Sequence, residues 1–257
     1  MKLMTYNIKY ANENDGENSW SKRKAALTGL LRFYNPDILG LQEAMLGQLE
    51  YFQSNLNEYN YIGVGRKNGK TEGEFSPILY KSAKFEVLER GTFWLSETPE
   101  KPSTGWDAAY PRICTCAFFQ NKKTGEKFWY FNTHFDHRGE EARKKSAELI
   151  YRKIEELNKD KFPVILSGDF NLEPHTDGIK YLGEKFLDSR EISENGCFGP
   201  EKTFNAYEFH EEPINRIDYV FISREGVAVK KYGVLNNSYD QKYPSDHFPV
   251  LVELQLN

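Results

Sequence analysis

The sequence predicts an α/β fold in which strands and helices alternate along the chain. Short apolar runs that end on turn residues alternate with longer segments of helical periodicity, which is typical of layered α/β domains. The chain has 257 residues, near the upper limit for a single core, and it contains no linker, internal repeat or low-complexity segment. We therefore expect one domain over residues 1–257.

The first third of the chain supplies two predicted helices and several short strands. Residues 2–8 alternate enough to form a strand, and Ser21 is expected to cap a helix that runs to about Tyr34 and ends before Pro36. The apolar face of this helix contains Leu27, Leu30, Leu31 and Tyr34. The elements expected next are a strand over 37–43, a helix over 46–56 and strands around 61–64, 78–80 and 85–89.

The middle of the chain contains a long segment without periodicity. Residues 92–112 include Trp94, Trp106 and several prolines, which predicts a loop, and loops of this length in compact domains tend to be functional. The elements expected after it are a hairpin over 113–119 and 128–133, a helix over 140–157, and strands over 163–171, 217–222 and 248–256. Residues 173–212 give only short helical and turn signals.

One strand carries a polar pair at its end. The apolar run introduced by Pro163 is broken by Gly168 and stops on Asp169 and Asn171, which predicts a buried strand followed by two polar side chains. Residues two apart in an extended segment point the same way, so both oxygens can face one cation or one water. A turn that closes the strand explains the same residues without chemistry. The functional interpretation is favoured because four other strand-like runs end on residues of the same kind.

Composition and charge exclude several classes of protein. The sequence is 39% apolar and 28% charged, and no apolar run is long enough to span a bilayer. The first residues are too polar for a signal peptide, so the chain as given is expected in the cytoplasm unless a leader was removed. Cys114, Cys116 and Cys197 are too few for a disulfide framework and are interpreted as structural. A net charge of −4 disfavours broad binding to long DNA, although a local basic cleft stays open as an alternative.

The polar residues at the strand ends form an oxygen-rich and imidazole-containing set without cysteine. The set comprises Asn7, Glu43, His134, Asp169, Asn171, Asp218, Asp246 and His247. Such ligands suit a hard cation, Mg²⁺ or Mn²⁺ as a substitute, which takes one or two carboxylates and keeps several waters. Histidines beside the metal supply groups that protonate or neutralise a phosphate during hydrolysis.

Six short motifs in order make the chain resemble the endonuclease/exonuclease/phosphatase (DNase I-like) superfamily. They are Thr5-Tyr6-Asn7, Leu41-Gln42-Glu43, Asn132-Thr133-His134, Gly168-Asp169-Phe170-Asn171, Arg216-Ile217-Asp218-Tyr219 and Ser245-Asp246-His247. The resemblance covers nearly the whole chain. It implies a four-layer α/β/β/α sandwich, two mixed β-sheets packed face to face with helices outside, and a Mg²⁺-dependent phosphoester hydrolase.

The resemblance also implies a role for each matched residue. Glu43 resembles the principal metal ligand, with Asn7 and Asp246 close to the same ion. Asp169 corresponds to the residue that orients or deprotonates the attacking water, and Asn171 to one that holds this water or a phosphate oxygen. His134 and His247 resemble histidines that meet the phosphate, with Asp218 as the partner carboxylate of His247.

Some residues have an alternative structural explanation of nearly equal weight. Asn7 also fits as a simple strand end, and Arg112 fits either a phosphate contact or an ordinary ion pair. Trp94 and Trp106 could stack nucleic-acid bases or pack the loop down. His137 and His175 are interpreted as surface residues.

The sequence leaves the substrate open. The first hypothesis is a metal-dependent phosphodiesterase or nuclease that acts on single-stranded or short nucleic acid. The alternatives are a phosphomonoesterase for a small phosphorylated metabolite or lipid headgroup, which the acidic pI of about 5.9 suits slightly better, and a catalytically silent binding module. The complete set of catalytic residues argues against the silent module. No protein partner can be inferred.

Overall fold

The computed structural model describes residues 1–256 and contains thirteen strands and four α-helices in that range. The strands are β1 (Lys2–Asn7), β2 (Ile38–Gln42), β3 (Tyr59–Ile62), β4 (Ile78–Lys81), β5 (Phe85–Trp94), β6 (Ile113–Asn121), β7 (Lys127–His134), β8 (Val164–Asp169), β9 (Leu187–Asp188), β10 (Cys197–Phe198), β11 (Asp218–Ile222), β12 (Val227–Val234) and β13 (Val250–Leu256). The helices are α1 (Trp20–Tyr34), α2 (Leu46–Asn55), α3 (Glu140–Leu157) and α4 (Asp177–Lys185), and Gly16–Asn18 forms a short 3-10 helix.

The strands form two mixed sheets. The seven-stranded sheet has the order β10-β12-β13-β1-β2-β4-β3, and the six-stranded sheet has the order β5-β6-β7-β8-β11-β9. Each sheet contains one central parallel pair, β1 with β2 and β7 with β8. The carboxyl ends of these four strands are therefore available for loops that carry polar residues.

Three hydrophobic cores separate the four layers. The first lies between the sheets and includes Leu3, Phe119, Phe128 and Ile165. The second packs α3 and α4 against the six-stranded sheet, and the third packs α1 and α2 against the seven-stranded sheet. The predicted four-layer α/β/β/α sandwich is confirmed, because each sheet buries both faces.

Most predicted elements are present, with differences at some boundaries. Helix α1 begins at Trp20, so the predicted capping role of Ser21 is wrong: the Ser19 carbonyl accepts the first helical N–H groups, and the Ser21 hydroxyl donates to Glu13 at 2.6 Å. Strand β5 extends to Trp94, into the predicted loop. Strand β12 and helix α4 were not predicted.

The structure also bears on the cysteines and on membrane association. Cys114 and Cys116 are buried in β6, as expected for structural residues, whereas Cys197 is exposed. Packing therefore gives no support for a structural role of Cys197. Within residues 1–256, no helix combines the length and the apolar character that a membrane crossing requires.

Candidate active site

The predicted site residues meet at one end of the sandwich, where the parallel pairs of both sheets end. Asn7 ends β1 and Glu43 follows β2, while His134 ends β7 and Asp169 ends β8. Asp218 lies opposite Asp169 in the antiparallel pairing of β11 with β8. Asp246 and His247 lie in the segment that enters β13. All eight residues of the predicted constellation are thus in one region, and all but Asn171 and Glu43 are almost fully buried.

The backbone at these strand ends adopts left-handed conformations that aim the side chains. Glu43 has φ of 60° and Asn171 has φ of 49°. Gly168 has φ of 152°, and a Cβ there would fall on the carbonyl oxygen of Thr133 in the neighbouring strand. Such conformations cost a non-glycine residue about 1–3 kcal/mol of conformational free energy, and the packing of the neighbouring strands offsets this cost.

Asp169 is the acceptor at the centre of the site. Its Oδ2 accepts a hydrogen bond from Asn7 Nδ2 at 2.9 Å and lies 3.4 Å from His134 Nε2 and 3.7 Å from His247 Nε2. Its Oδ1 accepts from the Asn171 backbone N–H at 2.9 Å. Burial and the Asp218 carboxylate together raise the pKa of Asp169 to about 7, because they outweigh the lowering by His247 and by the hydrogen bonds from Asn7 and Asn171.

His247 pairs with Asp218. His247 Nδ1 lies 2.9 Å from Asp218 Oδ2, and both residues are buried. Burial alone would lower the pKa of His247, but the carboxylates of Asp218 and Asp169 outweigh it and raise the pKa to about 10. His247 is therefore a cation at neutral pH, held by the carboxylate that the sequence predicted for it.

His134 has the opposite protonation. Burial, together with the nearby guanidinium groups of Arg112 and Arg66, holds the pKa of His134 well below its ordinary value. Its Nε2 lies 3.1 Å from Asn171 Nδ2, which also donates to the Phe135 carbonyl at 3.0 Å. The site thus presents one neutral and one charged imidazole.

Glu43 and Asp246 are two further carboxylates of the site, and both lie within ion-pair distance of Lys9. Glu43 Oε1 accepts from Asn7 Nδ2 at 3.1 Å, and Glu43 Oε2 accepts from the Tyr10 backbone N–H at 3.2 Å. The ammonium of Lys9 lies 3.9 Å from Glu43 Oε2 and 3.3 Å from Asp246 Oδ2. Asn7 turns its amide nitrogen toward Glu43 and Asp169 and accepts from the Lys9 backbone N–H with its oxygen, so in this arrangement it bridges the two carboxylates.

The donor set fits a hard divalent cation. The side chains of Glu43 and Asp246 are 13% and 10% exposed, so both face the cleft, and their oxygens have lone pairs beyond the hydrogen bonds described. A second group, Asp169, Asp218 and His247, also offers ligand atoms that lie within 4.8 Å of one another. In that group His247 Nδ1 is already paired with Asp218, and Mg²⁺ prefers oxygen over nitrogen, which favours Glu43 and Asp246.

A cleft of about 860 Å³ opens over these residues, and one of its walls is basic. The polar and charged residues on this side are Arg66, Lys67, Glu74, Tyr110, Arg112, His137 and Arg143, and Glu74 Oε1 accepts from Arg66 Nη2 at 2.7 Å. Arg112 forms the ion pair that was one of its two predicted alternatives, with its Nε 3.3 Å from Asp136 Oδ2, and it also lines the cleft. Its Nη1 and the Nε of Arg66 have no hydrogen-bond partner among the residues the structure describes.

The two tryptophans of the long loop do not line this cleft. Trp94 is buried in β5 and donates from its indole nitrogen to the Arg66 carbonyl at 2.7 Å, and Trp106 packs against the core beneath α3 and α4. The base-stacking hypothesis is therefore wrong for Trp94, because its ring is enclosed. Tyr110 is the aromatic residue of this segment that faces the cleft, where its ring stacks on His137 with centroids 5.9 Å apart.

Lys9, Arg66 and Tyr110 were not predicted as site residues from the sequence, and His137 and His175 were predicted to lie on the surface. Both histidines are exposed, and both border the cleft. The position of Lys9, two residues after Asn7 and next to the end of a strand, is a feature of the sequence that could have indicated it. Arg66 and Tyr110 lie in irregular segments, whose positions depend on tertiary packing and leave no periodic signal.

Comparison with known proteins agrees with this geometry. The sequence profile of the Endonuclease/Exonuclease/phosphatase family matches residues 4–247, so the chain belongs to that family. The structure of a mannosyl-6-phosphatase from Bacteroides thetaiotaomicron is 39% identical, superposes with a TM-score of 0.96, and the match covers 100% of both chains.

Two further relatives mark the breadth of the family. An uncharacterized mimivirus protein, L388, is 30% identical over 252 residues that cover 91% of each sequence. The Ccr4 3'-5'-exoribonuclease subunit of the Emericella nidulans CCR4-Not complex is 23% identical over 93% of this chain, which spans only 48% of that protein. The family thus includes relatives named as phosphatase and as nuclease, and members of this family are phosphoester hydrolases.

Proposed function

We propose that the protein is a divalent-metal-dependent phosphomonoesterase that acts on a phosphorylated sugar or a similar small phosphorylated molecule. The observation that carries the proposal is the basic wall of the cleft, where Arg66 and Arg112 flank His134. Each is ion-paired, with Glu74 and Asp136 respectively, and each keeps one nitrogen without a hydrogen-bond partner among residues 1–256. A phosphomonoester is a dianion near neutral pH, and it needs one more positive charge at its oxygens than a diester does. The phosphatase that is 39% identical over the whole chain supports the same substrate class.

The charge distribution assigns complementary tasks to the residues of the site. Asp169, with its pKa near 7, would accept a proton from the attacking water, and the Asn171 backbone N–H fixes the orientation of that carboxylate. Protonated His247, held by Asp218, would donate to a phosphoryl oxygen as negative charge builds up there. Neutral His134 and Asn171 would contact the remaining oxygens from the opposite side.

Glu43 and Asp246, with Asn7 beside them, would hold the divalent cation, Mg²⁺ or Mn²⁺. When bound, such a cation neutralises phosphoryl oxygens and lowers the pKa of a coordinated water. Arg112 is anchored by Asp136, so its guanidinium is oriented before substrate binds, which reduces the entropic cost of holding the phosphate.

The nuclease hypothesis, which the sequence ranked first, receives less support. The net charge is −4, and the aromatic residue Trp94, which would stack on bases, is buried. The similarity to Ccr4 is only 23% and spans about half of that protein. Tyr110 and His137 form the exposed stacked pair at the cleft, and they are equally suited to pack on the face of a sugar ring.

A mixed substrate panel tests the proposal. Sugar 6-phosphates, inositol phosphates, sphingomyelin, single-stranded RNA and DNA, and an abasic duplex would each be incubated with Mg²⁺, Mn²⁺ or EDTA, with the variant His247→Ala as control. We expect release of inorganic phosphate from sugar phosphates that EDTA abolishes and His247→Ala reduces on the order of 10³-fold. Faster cleavage of oligonucleotides than of any monoester would overturn the proposal in favour of the nuclease. Absence of hydrolysis together with absence of Mn²⁺ binding would indicate a silent module.

A further inference from the structure

The ammonium of Lys9 lies between the two carboxylates assigned to the metal. Its Nζ is 3.3 Å from Asp246 Oδ2 and 3.9 Å from Glu43 Oε2, and its side chain is 26% exposed. Ordinary surface lysines are mobile and pair with one acid. Lys9 instead faces two acids that come from different strand ends, Glu43 after β2 and Asp246 before β13.

Hydrogen bonds hold the backbone of Lys9 in place. Lys9 has φ of 54°, and its N–H donates to Asn7 Oδ1 at 3.0 Å. Its carbonyl accepts from Gln48 Nε2 at 3.0 Å and from Arg23 Nη2 at 2.6 Å. Arg23 and Gln48 are both buried. The strained residue is therefore fixed on both sides of its Cα, as in a built site.

Arg23 also binds the segment that carries the second carboxylate, Asp246. Its Nη1 donates to the Ile8 carbonyl and, at 3.2 Å, to the Pro244 carbonyl. One buried guanidinium thus ties the end of β1 to the segment that carries Asp246. Lys9 and Asp246 are held at a fixed separation by a group that itself does not face the cleft.

We propose that Lys9 is a permanent cation of this site, which shares the Glu43–Asp246 pair with a single divalent metal and takes the place of a second one. The inference rests on the proposed metal-dependent function and deepens it by fixing the metal stoichiometry. Two carboxylates carry two negative charges, and the ammonium neutralises one of them. A second divalent ion at that position would face a positive charge at a distance of a few ångströms in a partly buried site, where repulsion is strong.

The ammonium group of a lysine is positively charged near neutral pH. Lysine also has three N–H donors, so it can contact both acids at once. Lys9 therefore acts through charge and position, and proton transfer is no part of its role.

Isothermal titration calorimetry with Mn²⁺ alone, without substrate, tests this inference. We expect the unmodified protein to bind one equivalent. The variant Lys9→Met is expected to bind Mn²⁺ at least about 10-fold more tightly or to take up a second equivalent, and Lys9→Gln should behave in the same way if the methionine variant folds poorly. Lys9→Arg keeps the charge and should retain the stoichiometry of the unmodified protein.

The variant Lys67→Met is the matched control. Lys67 lines the same cleft, but no ion pair joins it to Glu43 or Asp246 among residues 1–256. An equal gain in Lys67→Met would overturn the inference, because the effect would then come from net charge. Two equivalents in the unmodified protein, or unchanged binding in both neutral Lys9 variants, would also overturn it.

The variant Glu43→Gln separates this inference from the proposed function. Loss of Mn²⁺ binding in Glu43→Gln, with binding intact in the unmodified protein, supports the metal site on which the inference depends. Absence of Mn²⁺ binding in the unmodified protein and in every Lys9 variant would contradict the metal-dependent function as well. Binding that Glu43→Gln abolishes and Lys9→Met leaves unchanged would contradict only the role of Lys9.

Discussion

His247 and Asp169 lie 3.7 Å apart, and their environments raise the pKa values of both side chains. Burial makes Asp169 a base that titrates near neutrality, while the Asp218 carboxylate keeps His247 protonated well above it. An acid and a base therefore coexist over the range from about pH 7 to about pH 10. This separation of protonation states is what a water-activating hydrolase requires.

The first prediction concerns the pH dependence of this pair. In Asp218→Asn the imidazole loses the carboxylate that most raises its pKa, so the protonated form of His247 is lost at lower pH. We expect the descending limb of kcat/KM against pH to move to lower pH, and the ascending limb, which reports Asp169, to move the same way, because the Asp218 carboxylate also raises the pKa of Asp169. The exposed His137 gives the control variant His137→Ala, which should leave the descending limb in place.

The same pair should also act as a unit. Asp218→Asn removes the carboxylate that keeps His247 charged, and His247→Ala removes the imidazole itself, so the double variant should lose little more activity than His247→Ala alone. Independent, fully additive losses in kcat/KM would contradict the Asp218–His247 pairing.

The second prediction concerns Asp136, which organises the loop after β7. Burial alone would raise the pKa of Asp136, but the backbone N–H groups of Gly139 and Arg138 and the Arg112 guanidinium hold it well below its usual range. We expect Asp136→Asn to lower the free energy of unfolding at pH 7 by about 3 kcal/mol, because it leaves Arg112 buried without its charge partner.

The stabilisation by Asp136 is present above the unfolded-state pKa of about 3.9 and is lost as the pH falls through the lower folded-state pKa. The difference between the protein and the variant should therefore shrink progressively below about pH 4 in urea titrations. Exposed Asp160 gives the control variant Asp160→Asn, whose free energy of unfolding should change by less than about 0.5 kcal/mol. A constant difference between pH 7 and pH 2 would contradict the assignment.

At the scale of single elements, β8 depends on a glycine. Any Cβ at position 168 meets the Thr133 carbonyl in β7, and φ there is 152°. We predict that Gly168→Ala lowers the free energy of unfolding by about 3 kcal/mol and reduces kcat, because relief of the clash displaces Asp169. Thermal unfolding and steady-state assays measure the two effects.

A second glycine in the same sheet serves as control. At Gly91 in β5 a Cβ would lie 3.8 Å from Cys116 Sγ, an ordinary contact, so Gly91→Ala should be nearly neutral in both measurements. Equal effects of the two substitutions would show that the strand end places no special demand on position 168.

Two bulges explain why parts of the sheets were not predicted from the sequence. The register of β12 shifts between Val229 and Lys231, and that of β5 shifts between Val87 and Glu89. A bulge breaks the alternation of period two on which strand prediction depends. Strands without bulges, such as β8 with its continuous apolar run, were predicted close to their observed bounds.

The residues of the site also differ in how far they could be predicted from the local sequence. Asp169 and Glu43 could be predicted because each follows an apolar strand directly, and strand ends of an α/β fold converge. Arg66 could not be predicted, because its position depends on Trp94, which binds its carbonyl across a distance of 28 residues in the sequence. The motifs thus contain the proposed acid–base residues, while the cleft residues proposed to contact the substrate come from segments without a periodic pattern.

At the scale of the whole molecule, each sheet contributes half of the site. Asn7 and Glu43 follow strands of the seven-stranded sheet, whereas His134, Asp169 and Asp218 belong to the six-stranded sheet. The relative position of the sheets therefore sets the distance between the proposed metal ligands and the residue proposed to activate water. A polar cluster buried between the sheets fixes this position close to the site.

Asn132 is the centre of that cluster. From β7 it donates to the Leu41 carbonyl at 2.8 Å and to the Pro77 carbonyl at 2.9 Å, and its Oδ1 accepts from Gln42 Nε2 at 2.7 Å. The side chain of Asn132 thus joins the six-stranded sheet to the seven-stranded sheet one residue before β2 ends. Buried hydrogen bonds of this kind are costly to leave unmade.

The final prediction follows from this bridge. Asn132→Ala should lower the free energy of unfolding by about 3 kcal/mol, because the Leu41 and Pro77 carbonyls and the Gln42 amide lose a hydrogen-bond partner. It should also reduce kcat, because the hydrogen bonds that fix one sheet relative to the other near the site are lost. In the control Thr115→Val, a partly buried hydrogen bond between the hydroxyl groups of Thr115 and Thr92, within one sheet, is lost, so stability should fall while kcat persists. Equal retention of kcat in both variants would contradict a positioning role of Asn132.

The pairing of β1 with β13 also has a consequence for biosynthesis. Asn7 and His247 face each other at 3.5 Å although 240 residues separate them, and Leu3 pairs with Val252 in the intervening ladder. Contacts of such sequence separation form slowly, because closing so long a loop costs entropy before any contact is gained. A nascent chain that lacks β13 therefore has no strand to hold Asp246 and His247 at the candidate site, so we expect it to be inactive until this strand pairs with β1.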